Sequence, residues 1–194
     1  MSEQRRHQRI RFNQPPSIRV GQGGRSGEGE LQNLSLGGLM LRTDVPLTVG
    51  EVFGCEFTVF GSPLIDMPAV VMGRIGDDLY SARFHAGPIS KILIQGAIDS
   101  ALAAGKASIL SIHELQGRKV MRIAGGLNNG LRGDFMHGLT RVGVSELDLS
   151  GVTAIDSGGL ALCLIAAEQH DVKMAGCSAC VDVAWRTLEK GARV

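Results

Sequence analysis

Asn33-Leu34-Ser35-Leu36-Gly37-Gly38, running into Leu39-Met40-Leu41, is the stretch that decides how this chain is read. Asn and Ser are short hydrogen-bonding residues that favour turns and strand ends. The glycine pair lets the backbone approach another group closely or take φ > 0. Taken alone, the stretch is a tight turn between two strands. About two dozen residues earlier stands a second unusual stretch, Arg5-Arg6-His7-Gln8-Arg9-Ile10-Arg11-Phe12. It is basic and carries little apolar surface, so it is expected to order only on a partner. Arginine is the side chain for forked recognition: it fits phosphate, pairs with the O6/N7 edge of guanine and stacks on flat rings. Alone, this arm reads as a solvated charge cluster.

Together, in this order and at this spacing, the two stretches resemble the signature of the PilZ family of receptors for the bacterial second messenger cyclic di-GMP. Arg5-x-x-x-Arg9 matches its arginine motif, and Asn33-x-Ser35-x-x-Gly38 its second motif. The resemblance covers roughly residues 1–88. It implies a small antiparallel β-barrel and a ligand site made of Arg5, Arg6, Arg9, Asn33, Ser35, Gly37 and Gly38. In it the arginines meet phosphates and guanine, Arg6 is auxiliary, and the Asn-Ser-Gly segment holds a guanine.

The strands expected around these motifs fit that picture. Ile18-Arg19-Val20 reads as a short strand after the helix-barring Pro15-Pro16, and Gly21 to Gly29 as a glycine-rich turn. Further strands are expected at Gly29 to Leu34, Gly38 to Thr43, Val52 to Phe60, Met67 to Arg74 and Leu79 to Phe84. In Val52 to Phe60, Phe53, Cys55, Phe57 and Val59 share one face. Arg42 and Arg83 fall on strands where they could face the ligand, but they read first as ordinary exposed arginines. Gly87-Pro88 marks a boundary. Ile89 to Ala104 is expected to be a linker helix with Ile89, Ile92, Leu93, Ala97, Ile98, Ala101 and Leu102 on its apolar stripe, capped by Gly105.

The second half alternates strand and helix, which predicts an α/β layer. Ile109 to Leu115 and Arg118 to Ile123 read as adjacent strands. Asn128 to Val142 reads as a helix with Leu131, Phe135, Leu139 and Val142 inward. Val144 to Leu149 is a strand, and Asp156-Ser157 caps a buried helix over Leu160 to Gln169. Val172 to Met174 is a short strand. Val181 to Lys190 is a last helix with Val181, Ala184, Trp185 and Leu188 inward. Leu147-Asp148-Leu149-Ser150-Gly151-Val152-Thr153-Ala154-Ile155-Asp156-Ser157-Gly158-Gly159-Leu160 resembles the core motif of STAS domains. That resemblance covers roughly residues 107–194 and implies a protein-interaction module. Phosphorylatable members read Asp-Ser-Ser-Gly, whereas this chain has Gly158 at the acceptor position, so a serine-kinase switch there is doubtful.

The expected organisation is thus a barrel over residues 1–88, a linker helix over 89–106 and an α/β module over 107–194. The expected function is a cyclic di-GMP receptor that passes binding on to an unidentified protein partner. The alternative is a STAS-type regulator, anti-sigma-antagonist-like, with a degenerate, non-binding barrel. Composition narrows the rest. With 20 Lys and Arg against 19 Asp and Glu, the net charge of +1 disfavours a dedicated nucleic-acid binder. Aromatics at 4% offer no platform for stacking single strands. No run reaches the ~18 apolar residues of a membrane span. The four cysteines, Cys55, Cys163, Cys177 and Cys180, show no bridge pattern, which points to a reduced, cytoplasmic protein. Cys177-x-x-Cys180 lacks further ligands for a metal, the five histidines do not cluster, and Ser35 has no triad partners, so no catalysis, metal or cofactor is expected. Homo-oligomerisation is left open.

Overall fold

Period-two alternation builds the first part of the chain. In β2 (Ser17–Gln22) Ile18 and Val20 are buried while Ser17 and Arg19 are exposed, and in β5 (Val52–Phe57) Phe53, Cys55 and Phe57 are buried. The structure, a computed structural model, describes residues 8–191, with the chain dividing into two compact units between Ala101 and Leu102. The first unit adds β1 (Ile10–Phe12), β3 (Arg25–Ser35), β4 (Gly38–Thr43), β6 (Ile65–Arg74) and β7 (Leu79–Phe84). Antiparallel pairing runs β3–β2–β5–β6–β7–β4 and returns to β3, closing a six-stranded barrel with no free edge in the ring. β3 is long enough to take β2 along Arg25–Glu30 and then β1 at Asn33 and Leu34, on the same side. Pro15-Pro16 breaks the chain between β1 and β2, and the Pro16 carbonyl accepts from the Leu31 amide at 2.8 Å.

Two local expectations are corrected here. The turn expected over Gly21 to Gly29 is confined to Gly23-Gly24, both at positive φ. Gly27 and Gly29 belong to β3, where a side chain on either would run into Val45 or the Arg42 carbonyl. The strand expected to reach Phe60 ends at Phe57, because Phe60 takes a left-handed φ of 37° ahead of Gly61. Val59 is still fully buried.

The helix α1 (Pro88–Ala103) opens on proline, whose fixed φ suits a first helical turn. Its buried residues are Ile94, Ala97, Ile98 and Ala101, spaced i, i+3, i+4, i+7. Ile89 and Ile92, expected on that stripe, are 75% and 71% exposed. Ile92 precedes Ile94 by two residues, which puts it on the opposite side of the helix.

In the second unit β8 (Ala107–Leu115) and β9 (Arg118–Leu127) form a hairpin through Gln116-Gly117, both at positive φ as a two-residue turn requires. β9 pairs in parallel with β10 (Glu146–Ile155), and β10 in parallel with β11 (Lys173–Cys177), in the order β8-β9-β10-β11. β10 is longer than expected and takes in Ser150 to Ile155. α2 (Arg132–His137), α3 (Ser157–His170) and α4 (Ala179–Gly191) supply the helices. The single helix expected over 128–142 is broken into a 3-10 turn at Asn129–Leu131, α2, and a π turn at Gly138–Val142. Asn128 starts the first piece by accepting from Gly130 N, and Gly138 sits where a side chain would strike Met121. Leu131, Phe135 and Leu139 still point into the core, while Val142 is half-buried.

Asp156 caps α3 as expected, accepting from Gly159 N at 2.8 Å. α3 is not buried all round: Gly159, Leu162, Cys163 and Ala166 are inside, while Leu160, Leu164 and Ile165 are half-exposed. Of the α4 residues whose burial is described only Val181 is buried, Ala184 and Trp185 are half-buried, and Leu188 is 37% exposed. No helix among the described residues is long and apolar enough to cross a membrane.

Candidate functional site

The site is set by one extra residue in β3. Leu31 faces Leu41 of β4, but Asn33 faces Met40, so Gln32 is a β-bulge. Strand side chains alternate, so an unbulged β3 with Leu31 inward would also turn Asn33 and Ser35 inward and Leu34 out. The bulge reverses this. Leu34 is fully buried opposite Leu39, and Asn33 and Ser35 belong to the barrel's outer side.

Cross-strand partners share a face, so the register defines two neighbouring rows on that outer side. One runs Arg11, Asn33, Met40, Ser81 across β1, β3, β4 and β7. The other runs Ser35, Gly38, Arg83. Ile10 pairs with Leu34 and is fully buried. Arg9 is the residue just before β1. Arg9, Arg11 and Arg83 are all exposed. Arg11 of the basic arm and Arg83 of β7 thus share the rows of the Asn-Ser-Gly segment.

Each predicted residue has a definite place. Asn33 donates from Nδ2 to the Met40 sulfur at 3.6 Å, while its Oδ1 is buried with no hydrogen-bond partner among the described residues. Ser35 is 3% exposed and its Oγ donates to the Gly38 carbonyl at 3.1 Å, closing the β3–β4 hairpin. Its hydroxyl hydrogen is committed, and only its lone pairs are left to offer. Gly37 lies in the two-residue loop, and its carbonyl accepts from Phe84 N at 3.1 Å. Gly38 is required by β7: a Cβ there would overlap the Ala82 carbonyl oxygen. Arg5 and Arg6 lie outside the described residues.

Arg83 reads from the sequence first as an ordinary strand arginine, and Arg11 carries no site signal there at all. Alternation in β7, with Tyr80, Ala82 and Phe84 buried, already sends Arg83 outward. What places it beside Gly38 is the β4–β7 pairing between strands far apart in sequence. Arg42 stays an ordinary surface arginine: it binds both carboxylate oxygens of Asp78, at 2.6 and 2.8 Å. Both partners are substantially exposed, at 48% and 36%. Such a pair contributes at most ~1 kcal/mol, so Arg42→Ala is expected to lower the urea-unfolding free energy by no more than that.

Two of the four cysteines are packed into the cores. Burial, with a smaller push from Asp66, raises the Cys55 thiol to about 12, and burial likewise raises Cys163 to about 12. Neither is a thiolate near neutral pH. Among the described residues no group of three His, Cys, Asp or Glu side chains is placed to hold a metal.

A comparison with curated protein sequences finds no match. Among solved structures the chain is similar to the PilZ domain with c-di-GMP of YcgR from Escherichia coli, at 21% identity and a TM-score of 0.44. That match covers 50% of this chain and 91% of the other. It is similar also to YcgR in complex with c-di-GMP from Escherichia coli, at 24% identity and TM-score 0.44, covering 50% of this chain and 45% of that one. A third is the MrkH–c-di-GMP complex of K. pneumonia, at 18% identity and TM-score 0.42, covering 50% and 52%. The chain thus spans about half the length of these two larger proteins. The model of the PilZ domain matches residues 3–98. The closed barrel, the bulge that turns Asn33 and Ser35 outward and this match agree: the N-terminal part of the chain, residues 3–98, is a PilZ domain.

Proposed function

We propose that the outer face around Asn33 binds cyclic di-GMP and that the chain is a receptor for it, not an enzyme. One observation carries the reading. Among the described residues the Asn33 side-chain oxygen is buried without a partner, on a face that carries Arg11 and Arg83 with Arg9 just ahead of β1. An unpaired buried acceptor costs ~1–3 kcal/mol, so its retention calls for a donor arriving from outside. The N1–H and N2–H edge of guanine is such a donor. The guanidinium groups suit the phosphates and the O6/N7 edge of the same ligand. In this reading Arg5 and Arg6 extend the cationic side, and Gly37 and Gly38 keep the hairpin free of side chains.

Asn33→Ala tests this directly. It removes the orphan acceptor, so the free protein should melt no lower than wild type. Calorimetric affinity for cyclic di-GMP should fall at least about tenfold. Lower stability with unchanged affinity would make Asn33 a structural residue and overturn the assignment.

For the second unit we propose a STAS-like module that engages a protein partner. The hairpin followed by two parallel crossovers, and the Asp156 cap on α3, support it. Gly158 leaves no room for an acceptor serine: a Cβ there would lie 2.8 Å from the Asn129 Cβ and 3.1 Å from its amide nitrogen. Signalling through this module would run by contact with a partner, not by phosphate on residue 158. A barrel that binds no dinucleotide, with a partner captured by the second unit alone, is the reading that would replace the receptor.

A further inference from the structure

The second unit carries a cavity that the receptor reading does not use. It has a volume of about 380 Å³ and lies between β11 and α4, lined by Met174, Cys177, Val181, Asp182, Trp185 and Arg186. That is within the range of small-molecule sites, and the lining is mainly apolar with two charged groups, the usual make-up of such sites. Trp185 is the chain's one tryptophan and is only half-buried. Asp182 and Arg186 stand one helical turn apart on α4, with Trp185 on the same face between them. Among the described residues neither charge is in an ion pair, with the other or elsewhere.

The occupant can be narrowed from these residues. β11 is the edge of its sheet, but its pairing with β10 slips between Leu147 and Asp148 and leaves Ala175 as a bulge. A bulged edge resists an added strand. A protein helix seated here would desolvate two unpaired charges, which interface cores avoid. A flat ring stacked on Trp185 would instead present its edges to Asp182 on one side and Arg186 on the other. A carboxylate takes two hydrogen bonds only from adjacent N–H donors, and an arginine fork needs adjacent acceptors. Among nucleobases guanine has both, N1–H with N2–H on one edge and O6 with N7 on the next.

We infer that the groove between β11 and α4 is a guanine-base site, stacked by Trp185 and read by Asp182 and Arg186. It lies wholly in the second unit and does not depend on the barrel reading. Its lone tryptophan makes it directly observable. Titration of the full chain with guanosine, followed by Trp185 emission excited at the red edge of indole absorption, should give a saturable change. Cytidine should give none. Asp182→Asn and Arg186→Gln, both at exposed positions, should melt like wild type and each weaken guanosine by about tenfold. A second titration with cyclic di-GMP, on protein carrying Asn33→Ala, separates two sources of the base. A matching emission change means the groove accepts the base on a dinucleotide, and no change means it takes the free nucleoside; the inference survives either way. No saturable guanosine signal, an equal signal with cytidine, or unchanged affinity in both variants would overturn it. So would a doubling of mass by light scattering that guanosine does not reverse, which would put a second copy in the groove.

Discussion

Arg9→Ala is expected to weaken cyclic di-GMP binding by roughly ten- to a few-hundredfold while leaving the barrel as stable as before. The magnitude follows from the chemistry. A hydrogen bond to a charged group contributes ~1.5–3 kcal/mol, and each 1.4 kcal/mol is about tenfold in affinity. The selectivity follows from position. Arg9 is exposed and lies just outside β1, so its removal costs no core contact. Arg9→Lys keeps the charge but not the planar fork, and should recover only part of the loss. Calorimetry paired with thermal melting reads both quantities on the same samples. A melting temperature that falls with Arg9→Ala at unchanged affinity would move Arg9 out of the site.

Gly38→Ala should give a large loss of stability for a single atom added. A Cβ at residue 38 would overlap the Ala82 carbonyl oxygen and lie 3.1 Å from the Ala82 carbonyl carbon and the Arg83 Cα. These are backbone atoms of the neighbouring strand and cannot rotate aside. Overpacking of this kind costs ~1–3 kcal/mol, and the rigidity of the obstacle puts Gly38 at the upper end. For a domain of this size that is of the order of ten degrees in melting temperature. Because Gly38 joins Ser35 to Arg83 across the sheet, spreading β4 from β7 should also weaken the ligand. Gly87→Ala is the control, since nothing lies within 4 Å of its added Cβ. Equal melting of the two variants would remove the packing argument.

What the chain reveals as bare sequence divides along physical lines. Strands whose alternation is local were legible, as with Phe53, Cys55 and Phe57, and so was the cap at Asp156. The Gln32 bulge was not, because a bulge is a relation between two strands and leaves no mark in one. For the same reason the motif residues could be named but not the row that joins Ser35 through Gly38 to Arg83. Apolar content also overstated burial in helices. Ile89 and Ile92 of α1, Leu160 and Leu164 of α3 and Leu188 of α4 are apolar yet face solvent in whole or part. Composition reports how much surface wants cover, and only packing decides which side receives it. Ser35 shows the converse: a residue marked for a ligand first closes its own hairpin, through the Gly38 carbonyl.

The most direct test is calorimetric titration of the full chain with cyclic di-GMP, with GTP and cyclic AMP as controls. Micromolar or tighter binding of the cyclic dinucleotide is predicted, weakened about tenfold or more in both Arg9→Ala and Asn33→Ala, with any heat from GTP or cyclic AMP unchanged by either substitution. No heat at micromolar ligand, or binding indifferent to both substitutions, would contradict it.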